Sequence, residues 1–301
     1  MNKKKIIVIL GNHRSGTSTI TRALKIYGID LSHSKGEIQN DNAKGHWEDD
    51  EIVKINEEIF RILKIKWYSL NVLSEVDIKK IENSGIVKKA VEVIESRLNQ
   101  YKIYAFKDPR VSKNIIFWKM IFKKLYTPVF YIIVNRNPKS CAKSLFVRDK
   151  FPKIYGYHLW LSYMYPIIMN IDFDNSIFIN YDFLFNNLEN EIKKIEYYLD
   201  EKIIFDEFKE YKNDFLDKGL IHNDFSKLSF YLDLPCPILL KRMYFLINEL
   251  GKDQDYSVKI KIIKNLKKLA LKYSQNISSY MLSEENYVKG IIRPIDRFTI
   301  W

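Results

Sequence analysis

The chain has 301 residues, 47% of them hydrophobic and 14% aromatic, so it can bury a sizeable core and is not typical of disordered proteins. No apolar run approaches the roughly 18 residues that a membrane-spanning helix needs. The net charge of +12 favours an anionic ligand or surface, but no zinc-finger spacing, RNP-type motif or repeat accompanies it, so we do not expect nucleic acid as a partner.

Strand and helix patterns alternate along residues 1–200. Apolar runs predict strands at residues 6–10, 102–106, 129–134 and 176–180. Apolar residues at three- and four-residue steps predict a helix after the first strand and helical segments at residues 47–63, 74–100, 112–126, 138–170 and 183–199. This alternation predicts an α/β fold with a P-loop-like, mostly parallel β-sheet flanked by helices. The first run follows three lysines, but it is too short for a signal peptide.

From about residue 201 the strand patterns fade and helices dominate. We therefore expect one domain over residues 1–301, with an α/β core at 1–200 and a mainly helical extension at 201–301 packed on it. Residues 261–273 carry an apolar stripe opposite several lysines. The default interpretation is a surface helix packed on the core. The alternative is peripheral contact of this lysine-rich helix with an anionic membrane or a lipid-linked acceptor.

Two cysteines, Cys141 and Cys236, form neither a C-x-x-C pair nor a metal-ligand spacing. This usage fits a reducing compartment, so we expect a cytoplasmic protein. The abundance of Ile, Lys and Asn is typical of an AT-rich bacterial genome.

The segment after the first strand, GNHRSGTS at residues 11–18, has the outline of a phosphate-binding loop. Gly11 and Gly16 have the spacing of the nucleotide-kinase loop, but Thr17 stands where that loop has its lysine. That lysine reaches the β- and γ-phosphates of a triphosphate. Its absence, with an arginine at Arg14, favours an anion without a γ-phosphate.

A second basic segment follows the strand at residues 129–134. Arg136 stands at its carboxyl end, where open α/β sheets bind ligands, and Ser144 lies about two helical turns later. The pair could clamp one further phosphate, with the planar guanidinium and the hydroxyl as donors. The alternative is that Arg136 only pairs with an acid at the strand end.

A third segment, AFKDPR at residues 105–110, places Lys107 and Arg110 at another strand end. Arg110 is a candidate for holding a donor or acceptor anion. Asp108 has two interpretations: contact with a substrate, or capping of the following helix and pairing with Arg110.

The fourth segment, NAKGHWEDDEI at residues 42–52, supplies candidates for a general base. We rank Glu48 first, His46 second and Asp108 third. Trp47 could stack on an adenine or a sugar ring, or belong to the core. The acids that follow it fit the first turn of a helix, whose dipole they complement.

The motifs HRSGTS and R-x-P with a serine eight residues after the arginine together resemble the sulfotransferases that use 3′-phosphoadenosine-5′-phosphosulfate (PAPS), and Gly-x-Trp-Glu resembles their bacterial carbohydrate-type members. The resemblance spans about residues 5–200 and implies a PAPS donor, no metal, and an acceptor hydroxyl on a glycan or glycolipid. It departs from the cytosolic members at Pro109, where they have a basic histidine. Residues 288–290 are weakly similar to a family segment that closes over the 3′-phosphate.

The resemblance assigns roles by position. Arg136 and Ser144 would hold the 3′-phosphate, Glu48 would be the base, and Arg14 and Lys107 would neutralise charge on the sulfuryl group. The 5′-phosphosulfate would contact Asn12, His13, Arg14, Ser15, Gly16, Thr17 and Ser18, and the acceptor would contact His46, Trp47, Asp108 and Arg110. Two alternatives remain: an ATP- or GTP-dependent P-loop phosphotransferase, and a non-catalytic nucleotide- or polyanion-binding protein.

Overall fold

A four-stranded parallel sheet organises the chain. The computed structural model describes residues 4–35, 45–216 and 226–292, and side chains within them except at Lys35, Lys227 and residues 276–292. The strands of the sheet are β1 (Lys5–Leu10), β4 (Ile103–Lys107), β5 (Val129–Asn135) and β6 (Ser176–Asn180), in the order β4-β1-β5-β6. Two short strands, β2 (Ser34–Lys35) and β3 (Glu48–Asp49), form a separate antiparallel pair. The predicted α/β class with a parallel sheet is confirmed.

Helices cover both faces of this sheet. Ile6 and Val8 face one buried cluster, and Ile7 and Ile9 face the other, as the two-residue period of a strand requires. The helices of the α/β part are α1 (Thr17–Ala23), α2 (Asp50–Leu63), α3 (Glu75–Glu82), α4 (Ile86–Gln100), α5 (Pro109–Lys113), α6 (Ile115–Leu125), α7 (Pro138–Asp149), α8 (Lys153–Asn170), α9 (Tyr181–Leu184) and α10 (Leu188–Leu199).

Four of the predicted helical segments are divided in the structure. Residues 183–199 form the end of α9 and all of α10, and residues 112–126 form the end of α5 and all of α6. Residues 74–100 form α3 and α4, separated at Gly85, whose φ of 81° is left-handed. The segment predicted at 112–126 begins earlier, because Pro109 starts α5 and Asp108 caps it. Residues 138–170 form α7 and α8, with Lys150 left-handed at the end of α7 and Pro152 preceding α8.

Beyond residue 200 the described elements are helical: α11 (Phe205–Glu210), α12 (Lys227–Tyr231), α13 (Ile238–Leu250) and α14 (Tyr256–Ile292). Leu240 and Ile247 of α13 and Leu266 of α14 are fully buried in the cluster that contains Val8. The helical extension therefore shares a core with the sheet.

The apolar stripe of α14 is used in this packing. Ile262, Leu269 and Tyr273 are buried, whereas Lys264 and Lys268 are exposed. The structure thus shows the packed surface helix of the default interpretation, and the stripe is not available to a membrane. Within residues 4–35, 45–216 and 226–292, no helix combines the length and apolar character needed to cross a bilayer.

Candidate functional site

The polar segments that follow β1, β4 and β5 meet at one edge of the sheet. Because these strands are parallel and adjacent, their carboxyl ends place the residue 11–18 loop between Lys107 and Arg136. The structure therefore brings together three of the segments singled out by sequence.

The loop after β1 is held in shape by its own side chains. The Ser15 hydroxyl donates to the Asn12 carbonyl over 2.8 Å, and the Asn12 amide donates to the His13 carbonyl over 2.9 Å. Both side chains are buried, so they brace the loop, and the Ser15 N–H also donates to the Asn12 carbonyl, over 3.2 Å. Arg14 and Gly16 are left-handed, with φ of 68° and 90°, so the backbone turns sharply on either side of Ser15.

The loop is attached to the segment that carries the candidate base. Ser18 donates from its hydroxyl to the His46 carbonyl over 3.1 Å, and Thr17 is buried at the start of α1. The indole of Trp47 lies beside Arg22 and Lys25, whose charged groups are 5.9 Å and 5.5 Å from its ring centroid. Trp47 is half-buried against the cluster beneath α1, which favours the core interpretation.

Two arginines and a serine meet beside the loop, in an arrangement that differs from the predicted clamp. Arg14 donates from Nε to the Ser144 hydroxyl over 2.8 Å, and Arg136 donates from Nη1 to the Arg14 carbonyl over 3.0 Å. The Arg136 guanidinium also lies over the Tyr181 ring, 4.8 Å from its centroid. Arg136 and Ser144, which we expected to act as a pair, are thus each hydrogen-bonded to Arg14.

Glu48 lies directly against two cations at the edge of the sheet. Its Oε1 accepts from Lys107 Nζ over 2.7 Å and its Oε2 from Arg110 over 3.3 Å. Lys107 is 1% exposed, and the Glu48 side chain is 17% exposed. Burial by itself would raise the pKa of Glu48, but Lys107 and Arg110 outweigh it, and the pKa is lower than usual. Glu48 is therefore an ionised carboxylate at neutral pH.

Asp108 does not face the site. It is fully buried, caps α5 through the Arg110 N–H, and accepts from Arg110 Nε over 2.8 Å and from the Asn56 amide over 2.8 Å. Burial raises the pKa of Asp108, against the opposing effect of Arg110. The expected acceptor contact and base role of Asp108 are therefore corrected. Its buried carboxylate instead orients the Arg110 side chain.

The imidazole of His13 is buried in a strongly positive environment. Its imidazole packs against the Trp67 and Tyr163 rings, with centroids 4.5 Å and 5.3 Å away. Burial, followed by the charges of Arg148, Arg110, Lys107 and Arg14, holds the pKa of His13 well below its ordinary value of 6.5. Sequence reasoning missed Arg148, although its place one turn after Ser144 on α7 was an available signal.

A second missed group connects the helical extension to the site. Asp182 accepts from the Asn137 N–H over 2.6 Å and from the Tyr244 hydroxyl over 3.0 Å. On the next turn of α13, the side-chain Oδ1 of Asn248 accepts from the side-chain amides of Asn135 and Asn180 over 2.6 Å and 2.7 Å. These contacts fix the carboxyl ends of β5 and β6, and hence the start of the segment that carries Arg136.

Lys113, also missed, is a buried lysine beneath the site. Its ammonium donates to the Ser69 carbonyl and lies 5.2 Å from the centroid of the Tyr163 ring. Burial lowers the pKa of Lys113 to about 7. Between about pH 7 and the ordinary lysine value of 10.5, the unfolded chain therefore binds more protons than the folded one, and the free energy of unfolding should rise with pH.

We expect the Lys113→Met variant to lose this increase in the free energy of unfolding with pH. Between about pH 7 and about pH 8.5, the free energy of unfolding of the wild type should rise by about 1–2 kcal/mol relative to the variant. Urea unfolding at both pH values measures it. Lys102→Met, at an exposed lysine, should keep the wild-type dependence. Equal pH dependence in wild type and Lys113→Met would contradict the prediction.

Neither protein-family models nor curated proteins gave a match to the chain. Among solved structures, it is similar to the sulfotransferase domain of the Synechococcus PCC 7002 olefin synthase, with 15% identity, a TM-score of 0.49, and coverage of 84% of this chain and 97% of that one. It is also similar to a sulfotransferase domain from the curacin biosynthetic pathway, with 13% identity, a TM-score of 0.46, and coverage of 85% and 100%. Likeness at this level does not assign a function.

Proposed function

We propose that the protein is a sulfotransferase that moves a sulfuryl group from PAPS to an acceptor hydroxyl. The observation that carries the proposal is the contact of Glu48 with Lys107 and Arg110 beside the residue 11–18 loop. One edge of the sheet then holds an ionised carboxylate for an acceptor proton, and cations for the charge that develops on the transferring group.

The chemistry of the loop fits the donor. Cationic side chains at the carboxyl ends of β1, β4 and β5 surround the loop. Thr17 stands where the nucleotide-kinase loop has its lysine, so the site suits a sulfated monophosphate better than a triphosphate. Among the described residues, the buried Nε2 of His13 has no hydrogen-bond partner. A neutral imidazole can donate from this atom to an anionic oxygen.

In the proposed arrangement, backbone N–H groups of residues 12–14 and 16–18 hold the 5′-phosphosulfate, since the N–H groups of Gly11 and Ser15 already donate to Ser112 and Asn12. Arg136, stacked on Tyr181, and Ser144 lie on the side assigned to the 3′-phosphate. The Ser144 hydroxyl accepts a hydrogen bond from Arg14 in this structure. Ser144 can therefore contact the donor only after the Arg14 side chain has turned away from it, towards the donor.

The bound donor supplies an electrophilic sulfur with a phosphate leaving group. Glu48 takes the proton of the acceptor hydroxyl as the new O–S bond forms, and Lys107 and Arg14 balance the charge passing to the leaving phosphate. Both oxygens of Glu48 already accept from cations, but each keeps a lone pair for the acceptor hydroxyl. Positioning and charge stabilisation dominate, as in phosphoryl transfer.

The acceptor side is formed by the residue 45–48 segment and Arg110. The sequence resemblance supports a glycan or glycolipid hydroxyl as that acceptor. The cysteine usage supports a cytoplasmic enzyme, and the length of the chain supports one domain. Residues 42–44 of the motif lie outside the described residues, as do the side chains of residues 288–290.

The donor is tested by calorimetric titration with 3′-phosphoadenosine-5′-phosphate, alongside ATP with magnesium. We expect tight binding of the bisphosphate, and about 10–100-fold weaker binding in Arg136→Ala, since a hydrogen bond to a charged group contributes about 1.5–3 kcal/mol. Arg61→Ala, at an arginine side chain that is 75% exposed on α2, is the control and should bind as the wild type does.

The other outcomes separate the alternatives. Binding of ATP with no preference for a 3′-phosphate would overturn the sulfotransferase proposal in favour of a phosphotransferase. Bisphosphate binding without turnover on any glycan or glycolipid tested would favour a non-catalytic nucleotide-binding protein.

A further inference from the structure

Apolar side chains are exposed around α12, at the start of the described residues 226–292. Leu234 is 93% exposed and Ile238 is 74% exposed. The side chains of Leu228, Tyr231 and Leu232 are between 63% and 65% exposed. Single exposed apolar residues are ordinary, but five within eleven positions form a patch of the kind that marks an interaction surface.

One face of α7 continues this patch. Lys139, Lys143, Phe146 and Lys150 share a face because they recur at three- and four-residue steps. Lys139 donates to the Ser229 hydroxyl over 2.6 Å, which places α12 on this same face. Further along it, Phe146 is 45% exposed, and the ammonium groups of Lys143 and Lys150 lie 5.3 Å and 6.0 Å from its ring centroid.

The charge of this region is positive. Lys143, Lys150 and Arg242 are exposed around the apolar side chains. The one acidic residue of the 226–242 sequence, Asp233, is 6% exposed and is paired with Lys153 over 2.5 Å. On α7, Asp149 is half-buried and pairs with Arg148 over 2.8 Å. The region thus offers exposed cations and exposed apolar groups together, while both of these carboxylates are paired with cations.

We propose that this surface, the exposed apolar side chains of residues 228–238 with Lys143, Phe146, Val147 and Lys150 of α7, docks on an anionic lipid membrane. Apolar side chains set among lysines suit the boundary between acyl chains and anionic headgroups. Protein interfaces, by contrast, are depleted in lysine at their centres. The proposal is independent of the reaction that the enzyme catalyses.

The surface also differs from the lysine-rich helix that the sequence offered for this role. On α14, within residues 256–275, most of the lysines are exposed but most of the apolar stripe is buried, and the exposed apolar residues, among them Leu271 at 46%, lie outside that stripe. Around α7 and α12 both kinds of group are exposed.

The experiment is co-sedimentation of the full chain with vesicles of phosphatidylcholine mixed with phosphatidylglycerol, and with vesicles of phosphatidylcholine alone. We expect binding to the anionic vesicles that weakens as salt is added. The double variant Leu232→Glu/Leu234→Glu should bind at least about tenfold more weakly, because it removes two apolar anchors from exposed positions. The double variant Lys143→Gln/Lys150→Gln should lose about tenfold.

Matched controls locate the effect. Lys264→Gln/Lys268→Gln removes the same charge from α14, and Tyr197→Glu changes a 91% exposed aromatic residue of α10; both should bind as the wild type does. Loss of binding in the α14 pair with retention in the α7 pair would overturn the proposal. So would equal sedimentation with both vesicle types, or a concentration-dependent dimer that Leu232→Glu/Leu234→Glu dissociates, since the surface would then bind a second copy.

Discussion

The Glu48→Gln variant is expected to lose sulfuryl transfer by about 10²–10⁴-fold, which is the usual contribution of a general base. The amide keeps the size of the side chain and an oxygen for Lys107, but it cannot take a proton at neutral pH. Because Glu48 contacts cations of the site and not the loop backbone, binding of 3′-phosphoadenosine-5′-phosphate should stay near wild type.

The measurement is release of 3′-phosphoadenosine-5′-phosphate from PAPS with an acceptor identified from a panel of glycans and glycolipids. Glu57→Gln is a matched control, because Glu57 also accepts from Arg110, over 2.7 Å, but its side chain is 61% exposed and contacts the outer side of that arginine. Its turnover should remain within about threefold of wild type, as expected for an exposed ion pair. Wild-type turnover in Glu48→Gln would remove Glu48 as the base.

The pH profile gives an independent reading of the same residue. Since Lys107 and Arg110 hold the pKa of Glu48 below its ordinary value of 4.5, turnover should be constant through neutral pH and fall only in acid, as the carboxylate becomes protonated. An acid limb near neutral pH would point to a different base.

The second large effect is expected for Lys107→Met, which should reduce turnover by about 10²–10³-fold. Lys107 is almost fully buried, so its charge acts on the transferring group with little screening. The variant should weaken binding of 3′-phosphoadenosine-5′-phosphate by less than about tenfold, because that product lacks the sulfuryl group which Lys107 is proposed to contact.

Lys107→Met should also move the acid limb of the pH profile upward. The ammonium is the largest of the influences that lower the pKa of Glu48, so its removal lets burial raise that pKa. Lys54→Met is the control, since Lys54 pairs with Glu51 on the exposed side of α2 and should leave both turnover and profile unchanged. A large loss of donor affinity with unchanged turnover would show that Lys107 binds the donor and does not act in transfer.

Local sequence patterns determined the sheet and the position of the site. The apolar runs that form β1, β4, β5 and β6 are short and almost entirely buried. They are recognisable in the sequence because both faces of such a strand are covered, so nearly every residue is apolar. Parallel strands then bring their carboxyl ends together, so the positions of Arg14, Lys107 and Arg136 in the sequence place them at one edge of the sheet.

The pairings within the site were decided by tertiary structure. Ser144 bonds to Arg14 across 130 positions of sequence, and Lys107 bonds to Glu48 across 59. Spacing along a helix or strand predicts which residues share a face, but not which distant side chain the face meets. For the same reason, the contacts that Tyr244 and Asn248 make with β5 and β6 had no signal in the sequence.

Burial likewise came only from the packing. Asp108 and Glu48 are both acids of the polar segments singled out by sequence, yet Asp108 is fully buried next to Arg110, whereas the Glu48 side chain is 17% exposed at the edge of the sheet. The apolar stripe of α14 and the apolar residues around α12 are equally hydrophobic, and only the first is covered. Amino-acid type sets the free energy that burial would bring, whereas the neighbours supplied by the fold decide whether a side chain is buried.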